Sequence, residues 1–309
     1  MGILASMDPG ESQQALVTGT FSRRMTIAMA NGTSVNARIK GKKLRPVCGD
    51  KVRAEAIANE PDWLITDIEP RQNELTRPDS RGRKEVLAAN LSCIVVMAAV
   101  EPRPDWYVVD RYLAAAENMG ASAIVAFNKT DLAQSAEPTR AILDEYRRCG
   151  YPVVECSAES SENLRQLASL LIDETAIIVG QSGVGKSSVI NRLISDAELR
   201  TGALSGSSGE GRHTTVNSVM LELPGGGAVI DSPGVRDYAP AIEETSDVIH
   251  GFREIREAGQ HCRFANCRHL REPGCAVKDA VAADEISARR YESFKRLVVL
   301  SKDLAEKRT

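Results

Sequence analysis

The residues with the clearest potential for chemistry lie between positions 180 and 188, where the sequence reads GQSGVGKSS. They match the pattern GxxxxGK[ST] and lie between an apolar run at 176–179 and a run with helical periodicity at 188–194. A strand, a glycine-rich loop and a helix in this order are typical of a phosphate-binding loop. Glycines let backbone N–H groups turn toward the phosphates, and the helix N-terminus adds its positive dipole end. The alternative is a glycine turn with a chance lysine, and the flanking strand and helix argue against it.

This loop predicts a bound nucleoside triphosphate with Mg²⁺. Lys186 would reach the β- and γ-phosphates, and the Ser187 hydroxyl would hold Mg²⁺. The other residues of the loop that are expected to contact the nucleotide are Gly180, Gln181, Ser182, Gly183, Val184, Gly185 and Ser188. The loop alone does not indicate which base is bound or what hydrolysis is for.

Two short motifs upstream of the loop indicate the base. Asn128-Lys129-Thr130-Asp131 follows a predicted strand at 123–127, and Cys156-Ser157-Ala158 follows the next strand, so both lie at the carboxyl edge where such sheets bind ligands. A carboxylate at Asp131 can accept hydrogen bonds from N1–H and the exocyclic amine of guanine, whereas adenine offers no such pair of donors. We therefore expect GTP rather than the ATP of a kinase-like enzyme. The expected nucleotide contacts are Asn128, Lys129, Asp131, Ser157 and Ala158.

Two motifs downstream of the loop would respond to the γ-phosphate. Residues 206–215 (GSSGEGRHTT) are rich in glycine and serine, and a threonine hydroxyl at their end can complete Mg²⁺ coordination and order the segment as a switch. Thr215 is favoured over Thr214 for this role. Asp231-Ser232-Pro233-Gly234 follows a predicted strand at 228–230. Asp231 would hold Mg²⁺ through water, and the Gly234 N–H would meet the γ-phosphate.

The order of these motifs along the chain is a circular permutation of the usual one. A common GTPase runs from phosphate loop through switch threonine and DxxG to NKxD and SA, whereas here NKxD and SA come first. Permutation is tolerated because the ends of compact domains lie at the surface and often close together. The segment after DxxG therefore leads directly into the C-terminal part of the chain.

The C-terminal part carries a predicted zinc site. Cys262, Cys267, His269 and Cys275 lie within fourteen residues, and three thiolates with one imidazole suit a closed, tetrahedral and therefore structural Zn²⁺ site. A run of buried thiols is the alternative. The other cysteines are scattered singly and are expected to be packing residues: Cys48, Cys93, Cys149 and Cys156.

Composition limits the class of protein. The 309 residues suffice for two or three domains, and 42% apolar and 26% charged residues are ordinary for a globular chain. We expect a reducing cytoplasm and no membrane association. The reasons are an odd number of cysteines, seven, the lack of a basic-then-apolar signal pattern, and the lack of an apolar run of membrane-spanning length. A net charge of −3 argues by itself against nucleic acid, and nothing indicates an obligate dimer, so a monomer is expected.

The N-terminal region, 15–70, predicts a small all-β barrel of about five strands. Strand-like runs occur at 15–29, 34–40, 50–57 and 63–68, with an Asn31-Gly32 hairpin signal and no helical period. The OB-fold is the commonest such barrel with a nucleic-acid face. Basic residues crowd its middle: Arg38, Lys40, Lys42, Lys43, Arg45, Lys51 and Arg53. An RNA-binding surface and an ordinary solvated face remain equally open.

The remaining chain divides into three predicted parts. Residues 71–84 are polar and basic without periodicity and predict a linker with spare cations beside the barrel. Residues 85–242 alternate strands and helices, which indicates a mostly parallel sheet with helices on both faces. Residues 243–309 combine the zinc module with a helix at 284–307. That helix has Ile286, Phe294, Leu297, Val298 and Leu304 at helical spacing, and its basic residues (Arg289, Arg290, Lys295 and Arg296) are expected to form a solvated face rather than an RNA-reading one.

A barrel, a permuted GTPase and a Cys₃His module in this order resemble the RsgA (YjeQ) family of bacterial GTPases. The resemblance spans nearly the whole chain and rests on the motifs NKTD, GQSGVGKS, GRHTT, DSPG and CRFANCRHLREPGCAV. It implies a GTPase that the small ribosomal subunit stimulates, a role in late maturation of that subunit, and contacts of barrel and zinc module with ribosomal RNA. Two departures are Val216 in place of a third threonine and a switch loop richer in glycine and serine.

The group that activates the attacking water is not evident in the DxxG motif. The residue after Gly234 is Val235, where many GTPases have a water-orienting glutamine, and valine cannot orient water. His213 resembles the histidine proposed for this role in the family, and a solvent-exposed loop residue is the equal alternative. Slow hydrolysis alone and faster hydrolysis with the ribosome are expected. The competing hypothesis is a non-catalytic RNA-binding scaffold in which nucleotide is a structural ligand.

Overall fold

The N-terminal strands form the predicted barrel in a computed structural model that describes residues 12–21, 24–41, 43–78, 84–132, 137–195, 218–232 and 245–306. The strands are β1 (Ser12–Phe21), β2 (Arg24–Met29), β3 (Ser34–Ile39), β4 (Lys51–Ala56) and β5 (Trp63–Ile68). They are hydrogen-bonded in the order β1-β2-β3-β5-β4, and β4 also pairs with β1, which closes the barrel. Inward-facing side chains such as Val17, Ile27 and Ile65 fill its core.

A hairpin follows the barrel where the sequence predicts a linker. Strands β6 (Glu74–Pro78) and β7 (Lys84–Ala89) pair antiparallel, so the prediction of a segment without regular structure is wrong for residues 74–78 and 84. Its cations are also less available than expected. Arg71 donates to the fully buried Asp50 at 2.7 and 2.9 Å and to Glu74 at 3.0 Å, and Arg77 pairs with Glu85. The Arg71–Asp50 pair fastens the start of the hairpin to the barrel, and the Arg77–Glu85 pair joins the two hairpin strands. Arg81 and Arg83 lie outside the described residues.

The second part of the chain is the predicted α/β unit. Its strands are β8 (Cys93–Ala99), β9 (Ser122–Asn128), β10 (Val153–Glu155), β11 (Thr175–Val179), β12 (Ser218–Glu222) and β13 (Ala228–Asp231). The order is β10-β9-β8-β11-β13-β12, with every neighbouring pair parallel except β12 and β13. Parallel strands place their carboxyl ends at one edge, which is where the predicted nucleotide motifs begin.

Helices cover both faces of this sheet. The first face carries α1 (Trp106–Met119) and α2 (Glu137–Arg148), and the second carries α3 (Leu164–Ser169) and α4 (Lys186–Ser195). Strand β8 is buried throughout, and its residues alternate between the two cores, with Ile94 and Val96 on the first face and Val95 and Met97 on the second. A strand buried on both sides reads as one continuous apolar run, as the sequence does here.

The four scattered cysteines are packing residues, as predicted. Cys48, Cys93 and Cys156 are fully buried and Cys149 is half-buried. Burial raises the pKa of Cys93 to about 11 and the pKa values of Cys48, Cys149 and Cys156 to about 12. Thiols with such pKa values are poor nucleophiles at neutral pH.

The barrel and the α/β unit share hydrogen bonds. Strand β12 pairs antiparallel with β1, with Thr20 opposite Ser218 and Gly19 opposite Val219. Because of this pairing, eleven strands form one continuous sheet that runs from the edge strand β10 into the barrel. The sequence gives no local signal for this junction, since residues about 200 positions apart make it.

The described C-terminal part contains the helices α5 (Thr245–His250), α6 (Arg253–Gly259), α7 (Ala276–Ala282) and α8 (Ala288–Glu306). Of these, α5 and α8 pack directly against α1. The core of this part contains Phe252, Phe294 and Val298 together with Ala114 of α1. The approach is close, because a side chain at Gly251 would lie 2.6 Å from the Ala114 methyl group. None of the helices among the described residues is long and apolar enough to cross a bilayer.

Two of the four basic residues of α8 correct the prediction of a solvated face, whereas Arg296 is exposed and Lys295 is partly exposed. Arg290 is 1% exposed and donates to Asp110 of α1 at 2.8 Å and to Glu254 of α6 at 2.6 and 3.0 Å. Arg289 donates to the other oxygen of Asp110 and to Glu145 of α2. The helix also begins later than predicted, at Ala288, because residues 284–287 form a turn. These two arginines therefore connect α8 to the α/β unit.

Candidate nucleotide and zinc sites

The glycine loop has the strained backbone that a phosphate-binding loop requires. It leaves β11 at Gly180, with φ of 141°, and reaches α4 through Gly185, with φ of 96°. Side chains at these positions would lie 2.1 Å from the Met97 carbonyl oxygen and 2.4 Å from the Asn128 amide nitrogen, so only glycine fits. The Lys186 ammonium group donates to the carbonyl oxygens of Gly180 and Gln181, each at 2.7 Å. The lysine is therefore held across the mouth of the loop.

Asn128 joins three of the predicted motifs. Its side chain lies at the carboxyl end of β9 and the residue is 1% exposed. The amide nitrogen donates to the Val184 carbonyl oxygen in the glycine loop at 2.9 Å, and the amide oxygen accepts the Ala158 N–H in the SA loop at 3.1 Å. Because a buried amide with both ends paired is costly to displace, it fixes the two loops relative to each other. The structure thus brings the NKTD, SA and glycine loops together.

Asp131 is held by the SA loop and remains exposed. The buried Ser157 hydroxyl donates to its Oδ1, and the Ser160 N–H in turn donates to the Ser157 hydroxyl at 3.1 Å. The neighbouring Thr130 hydroxyl donates to the Cys156 carbonyl oxygen at 3.1 Å. The carboxylate is therefore oriented by protein groups while it keeps access to a ligand.

The remaining predicted residues are only partly described. Asp231 ends β13, and the β11–β13 register places it one residue beyond the Ile177–Ile230 pair, which is level with Ile178 and two residues before Gly180. Ser187 and Ser188 lie in the first turn of α4. The predicted positions His213, Thr215 and Gly234 lie outside the described residues.

The sequence motifs do not reveal one contact that holds the glycine loop in place. The Gln181 side chain accepts the backbone N–H of Asp105 at 2.8 Å, and Asp105 caps α1 by accepting the Tyr107 N–H at 3.0 Å. A side chain at Gly183 would lie 3.6 Å from Pro102 in the same segment. The connection from β8 to α1 is thus tied to the glycine loop. An aspartate before a helix signals a cap, but no local pattern indicates its contact with Gln181.

The four predicted zinc ligands converge on one point. The ligand atoms of Cys262, Cys267, His269 and Cys275 all lie within 4.8 Å of one another. The distances are 3.9 Å from Cys262 Sγ to Cys275 Sγ, and 3.4 and 3.6 Å from these sulfurs to His269 Nδ1. A tetrahedron with Zn–S bonds of about 2.3 Å and a Zn–N bond of about 2.0 Å has edges of roughly 3.8 and 3.5 Å. The donor set and its spacing therefore fit Zn²⁺.

A second layer of contacts supports the zinc cluster. The Tyr291 hydroxyl of α8 donates to the His269 carbonyl oxygen at 2.6 Å, and a side chain at Gly259 would lie 3.0 Å from the imidazole. The Glu272 carboxylate accepts backbone N–H groups of Arg268, Leu270 and Arg271. Burial alone would raise the pKa of Glu272, yet these backbone donors lower it to about 2. The loop between the ligands is therefore organised around one internal carboxylate.

Comparisons with known proteins agree with this geometry. A sequence model of the RsgA GTPase family matches residues 68–240. A protein of Chromohalobacter salexigens named small ribosomal subunit biogenesis GTPase RsgA is 43% identical over 82% of this chain and 74% of its own length, and one with the same name from Alcanivorax borkumensis is 38% identical over 94% and 85%.

Two solved structures are similar over nearly the whole fold. The crystal structure of YjeQ from Thermotoga maritima has a TM-score of 0.75 and 26% identity, covering 94% of this chain and 99% of the other. The crystal structure of YloQ, described as a circularly permuted GTPase, has a TM-score of 0.73 at 24% identity, covers 97% and 98% of the two chains, and bears on the fold alone. Together with the permuted order of the glycine, NKTD and SA loops around Asn128, these matches establish that the chain belongs to the RsgA family of GTP-hydrolysing enzymes.

Proposed function

We propose that this chain binds GTP with Mg²⁺ at the glycine loop and hydrolyses it in a reaction that the small ribosomal subunit stimulates during late maturation of that subunit. The observation that carries the nucleotide assignment is the pairing of Asn128 with both the glycine loop and the SA loop. The ribosomal part is supported by the names of the relatives, which assign them to small ribosomal subunit biogenesis. It extends to this chain because the match spans most of both sequences.

Each site residue has a proposed task. The backbone of residues 180–188 and Lys186 hold the phosphates, while Lys129 and Asp131 bind the base beside Asn128, Ser157 and Ala158. Ser187, Thr215 and Asp231 hold Mg²⁺, and Gly234 meets the γ-phosphate. Mg²⁺ held by these residues would supply the positive charge that stabilises the phosphate oxygens during hydrolysis.

The DxxG motif of this chain lacks a group that could orient the attacking water. Val235 offers no hydrogen bond to water, so the orienting group must come from His213 or from the subunit. Supplying a missing transition-state group accelerates such reactions by roughly 10³–10⁵. We therefore propose slow hydrolysis by the free protein and rapid hydrolysis on the subunit.

The experiment that tests the proposal is the GTP hydrolysis rate of the full chain with and without purified small subunits. Lys186→Ala should abolish stimulated turnover, and Lys302→Ala, on the exposed side of α8, is the matched control. Equal rates with and without subunits would refute stimulation. A Lys186→Ala protein that still supports assembly would favour the scaffold hypothesis, and full stimulated activity in His213→Ala would remove His213 from the mechanism.

Nucleotide-dependent release is the proposed purpose of hydrolysis. We propose that the GTP-bound form binds the subunit more tightly than the GDP-bound form, since the switch segments change with the γ-phosphate. The test compares subunit affinity in GDP and in a non-hydrolysable GTP analogue. Equal affinities would rule out a release function and leave the hydrolysis assignment intact.

Two exposed cationic surfaces support ribosomal RNA as the contacted partner. On the barrel, Lys40, Lys43 and Lys51 are exposed around the connection from β3 to β4, whereas Arg38 and Arg53 pair with carboxylates. On the zinc module, the exposed residues Arg263, Phe264, Arg268 and Arg271 surround the ligands, with the Arg263 guanidinium 5.4 Å from the Phe264 ring centre. Cations bind phosphates, and an exposed aromatic ring can stack on an unpaired base.

Charge reversal tests the barrel surface. Lys40→Glu with Lys43→Glu should weaken subunit binding and flatten its salt dependence, because fewer counterions are released from the RNA. Lys302→Glu carries the same type of charge change on α8 and should leave binding unchanged. Identical salt dependence in both proteins would exclude the barrel as an RNA contact.

The remaining assignments concern the state of the protein in the cell. We propose a cytoplasmic monomer with one structural Zn²⁺ held by Cys262, Cys267, His269 and Cys275. Metal analysis should find one zinc per chain, and sedimentation should show a single species of 33.4 kDa.

A further inference from the structure

The barrel lies two strand spacings from a proposed Mg²⁺ residue. Val219 of β12 is opposite Gly19 of the barrel strand β1 on one side and opposite Asp231 of β13 on the other. Neighbouring strands are about 4.8 Å apart, so the barrel backbone lies roughly 10 Å from Asp231. Barrel strand β1 and Asp231 are therefore adjacent, although Gly19 and Asp231 are more than 200 residues apart in the sequence.

Ser218 makes the contacts that join the two. Its N–H donates to the Thr20 hydroxyl of β1 at 3.3 Å, and its carbonyl oxygen accepts the Cys48 thiol of the barrel at 3.1 Å. Its own hydroxyl donates at 2.9 Å to the hydroxyl of Ser232, the residue that follows Asp231. Ser218 and Ser232 are 8% and 7% exposed, so water cannot readily replace these bonds.

We infer that Ser218 is a positioning residue for GTP hydrolysis, through which the barrel sets the location of Asp231 and the DxxG motif. The inference rests on the proposed function, because it takes Asp231 as a Mg²⁺ residue. Hydrolysis depends on the placement of reacting groups, and a displacement of about 1 Å can cost 10²-fold in rate. A hydrogen bond from Ser218 to Ser232 restricts the motif at the point where it leaves the sheet. A partner that displaces β1 would then shift Asp231 without itself contacting the nucleotide.

Ser218 is also close in the sequence to the predicted switch threonine. Strand β12 begins directly after residues 196–217, which contain the predicted switch threonine, and Ser218 is its first residue. The same residue thus lies three positions after the predicted switch threonine in the sequence, and in space it contacts both Ser232 of the DxxG motif and the barrel.

The test measures kcat and KM for GTP, and the Mg²⁺ concentration that gives half-maximal rate, in full-length variants. Thr20→Val removes the barrel acceptor, Ser218→Ala removes the hydroxyl, and Ser232→Ala removes its partner. Ser122→Ala, which removes a serine hydroxyl bond at the start of β9, is the matched control. Ser218→Thr keeps a hydroxyl and should restore activity.

We expect kcat to fall about tenfold in Thr20→Val and Ser218→Ala, which corresponds to one hydrogen bond, with KM for GTP within twofold of the parent. The half-maximal Mg²⁺ concentration should rise, and Ser218→Ala with Ser232→Ala should be no slower than either single variant. A merely structural role predicts less folded protein with unchanged kcat per folded molecule and unchanged Mg²⁺ dependence, and that result would overturn the inference.

Asp231→Ala separates this inference from the proposed function. If Asp231→Ala loses activity while Thr20→Val and Ser218→Ala behave like Ser122→Ala, the coupling is wrong and the Mg²⁺ assignment stands. If Asp231→Ala retains full activity, the Mg²⁺ assignment fails, and the inference fails with it.

Discussion

Asp131 shows how a single side chain can carry base specificity only when its surroundings orient it. The Ser157 hydroxyl donates to Oδ1, which leaves Oδ2 and the second lone pair of Oδ1 for a ligand. Guanine presents two donors, N1–H and the 2-amino group, that match such a carboxylate. A bound base without these donors would displace water from the carboxylate and leave it unpaired, and binding sites of this kind discriminate strongly.

Replacing Asp131 by asparagine should change the preferred base. The amide keeps one acceptor and gains donors, so it suits xanthine, which has a carbonyl oxygen where guanine has its 2-amino group. We expect the affinity for GTP to fall at least about 100-fold and the affinity for xanthosine triphosphate to exceed it. Competition binding against both nucleotides and ATP measures this. Asp173→Asn, in the exposed turn before β11, should bind GTP normally, and an unchanged preference in Asp131→Asn would place the base elsewhere.

The residue scale also shows what the sequence can and cannot reveal about the site. The glycine loop and the Asp131 motif are visible because backbone geometry and hydrogen-bond chemistry restrict the residue type at each position. The link from Gln181 to Asp105 is not visible, since its partners are 76 positions apart and both residue types are common on surfaces. Tertiary contacts between ordinary polar residues leave no local pattern.

At the scale of elements, α8 shows most clearly where the sequence-based prediction failed, because Arg290 was expected on a solvated face and is buried. Arg290 lies four residues after Ile286 and four before Phe294, so it belongs to the apolar stripe that the sequence analysis identified. An arginine on a buried stripe needs carboxylates, and Asp110 and Glu254 supply them from α1 and α6. The periodicity could have indicated burial of Arg290, but not its partners, which lie in other elements.

Removal of the Arg290 guanidinium should destabilise the junction strongly. Arg290→Ala removes the Arg290 charge from Glu254 and leaves Asp110 with Arg289 and the Tyr146 hydroxyl. Removing one partner of a buried ion pair costs about 3–5 kcal/mol. Arg290→Met, which fills the space without a charge, breaks the same two ion pairs and should also destabilise. Lys295→Ala, at an exposed position of α8, should change stability by less than about 0.5 kcal/mol. Urea unfolding followed by circular dichroism measures all three, and equal midpoints for Arg290→Ala and Lys295→Ala would contradict the role of the junction.

The same junction predicts a pH dependence. Burial alone would raise the pKa of Glu254, but the charge and hydrogen bonds of Arg290 outweigh it and hold the pKa below its ordinary value. A carboxyl group whose pKa is lowered on folding stabilises the protein above its unfolded pKa of about 4.3, and this stabilisation is lost as pH falls through the folded value. The difference in melting temperature between the parent and Glu254→Gln should therefore be largest near neutral pH and narrow below about pH 4. Glu292→Gln, at an exposed position of α8, should differ little from the parent in melting temperature at every pH. If the difference in melting temperature for Glu254→Gln instead becomes larger in acid, the pKa of Glu254 is raised on folding and the prediction is wrong.

At the scale of the whole molecule, the predicted architecture is confirmed in its classes: a five-stranded barrel, a permuted GTPase unit and a C-terminal helical part with a Cys₃His cluster. Local patterns predict these classes because strand alternation, helical periodicity and ligand spacing act over a few residues. The relative placement of the parts depends on β1 with β12 and on α8 with α1, and pairings at such separations carry no periodic signal. The domain limits at 70, 84 and 242 stay predictions.

These long-range junctions lead to a last prediction, on removal of zinc. The Cys₃His cluster contacts α8 through the Tyr291 hydroxyl and through the Phe294 ring, whose centre is 6.3 Å from that of His269. The arginine pairs of α8 hold the helix to α1 and α2 independently of the cluster. Loss of the ion should therefore unfold the ligand loop while the sheet and the barrel stay folded, in contrast to small zinc domains that unfold completely without metal.

Hydrogen exchange after chelation distinguishes these outcomes. Amides at 262–275 should lose protection, those of α8 should lose part of it, and those of β8 and β11 should keep theirs. Cys262→Ala should reproduce the pattern without chelator, whereas Cys149→Ala, which removes a half-buried thiol outside the cluster, should not. Unchanged protection at 262–275 would show that the loop does not depend on zinc. An equal loss of amide protection in β8 would show that the C-terminal part and the sheet unfold together. The arginine pairs of α8 would then couple the two parts instead of keeping the sheet folded.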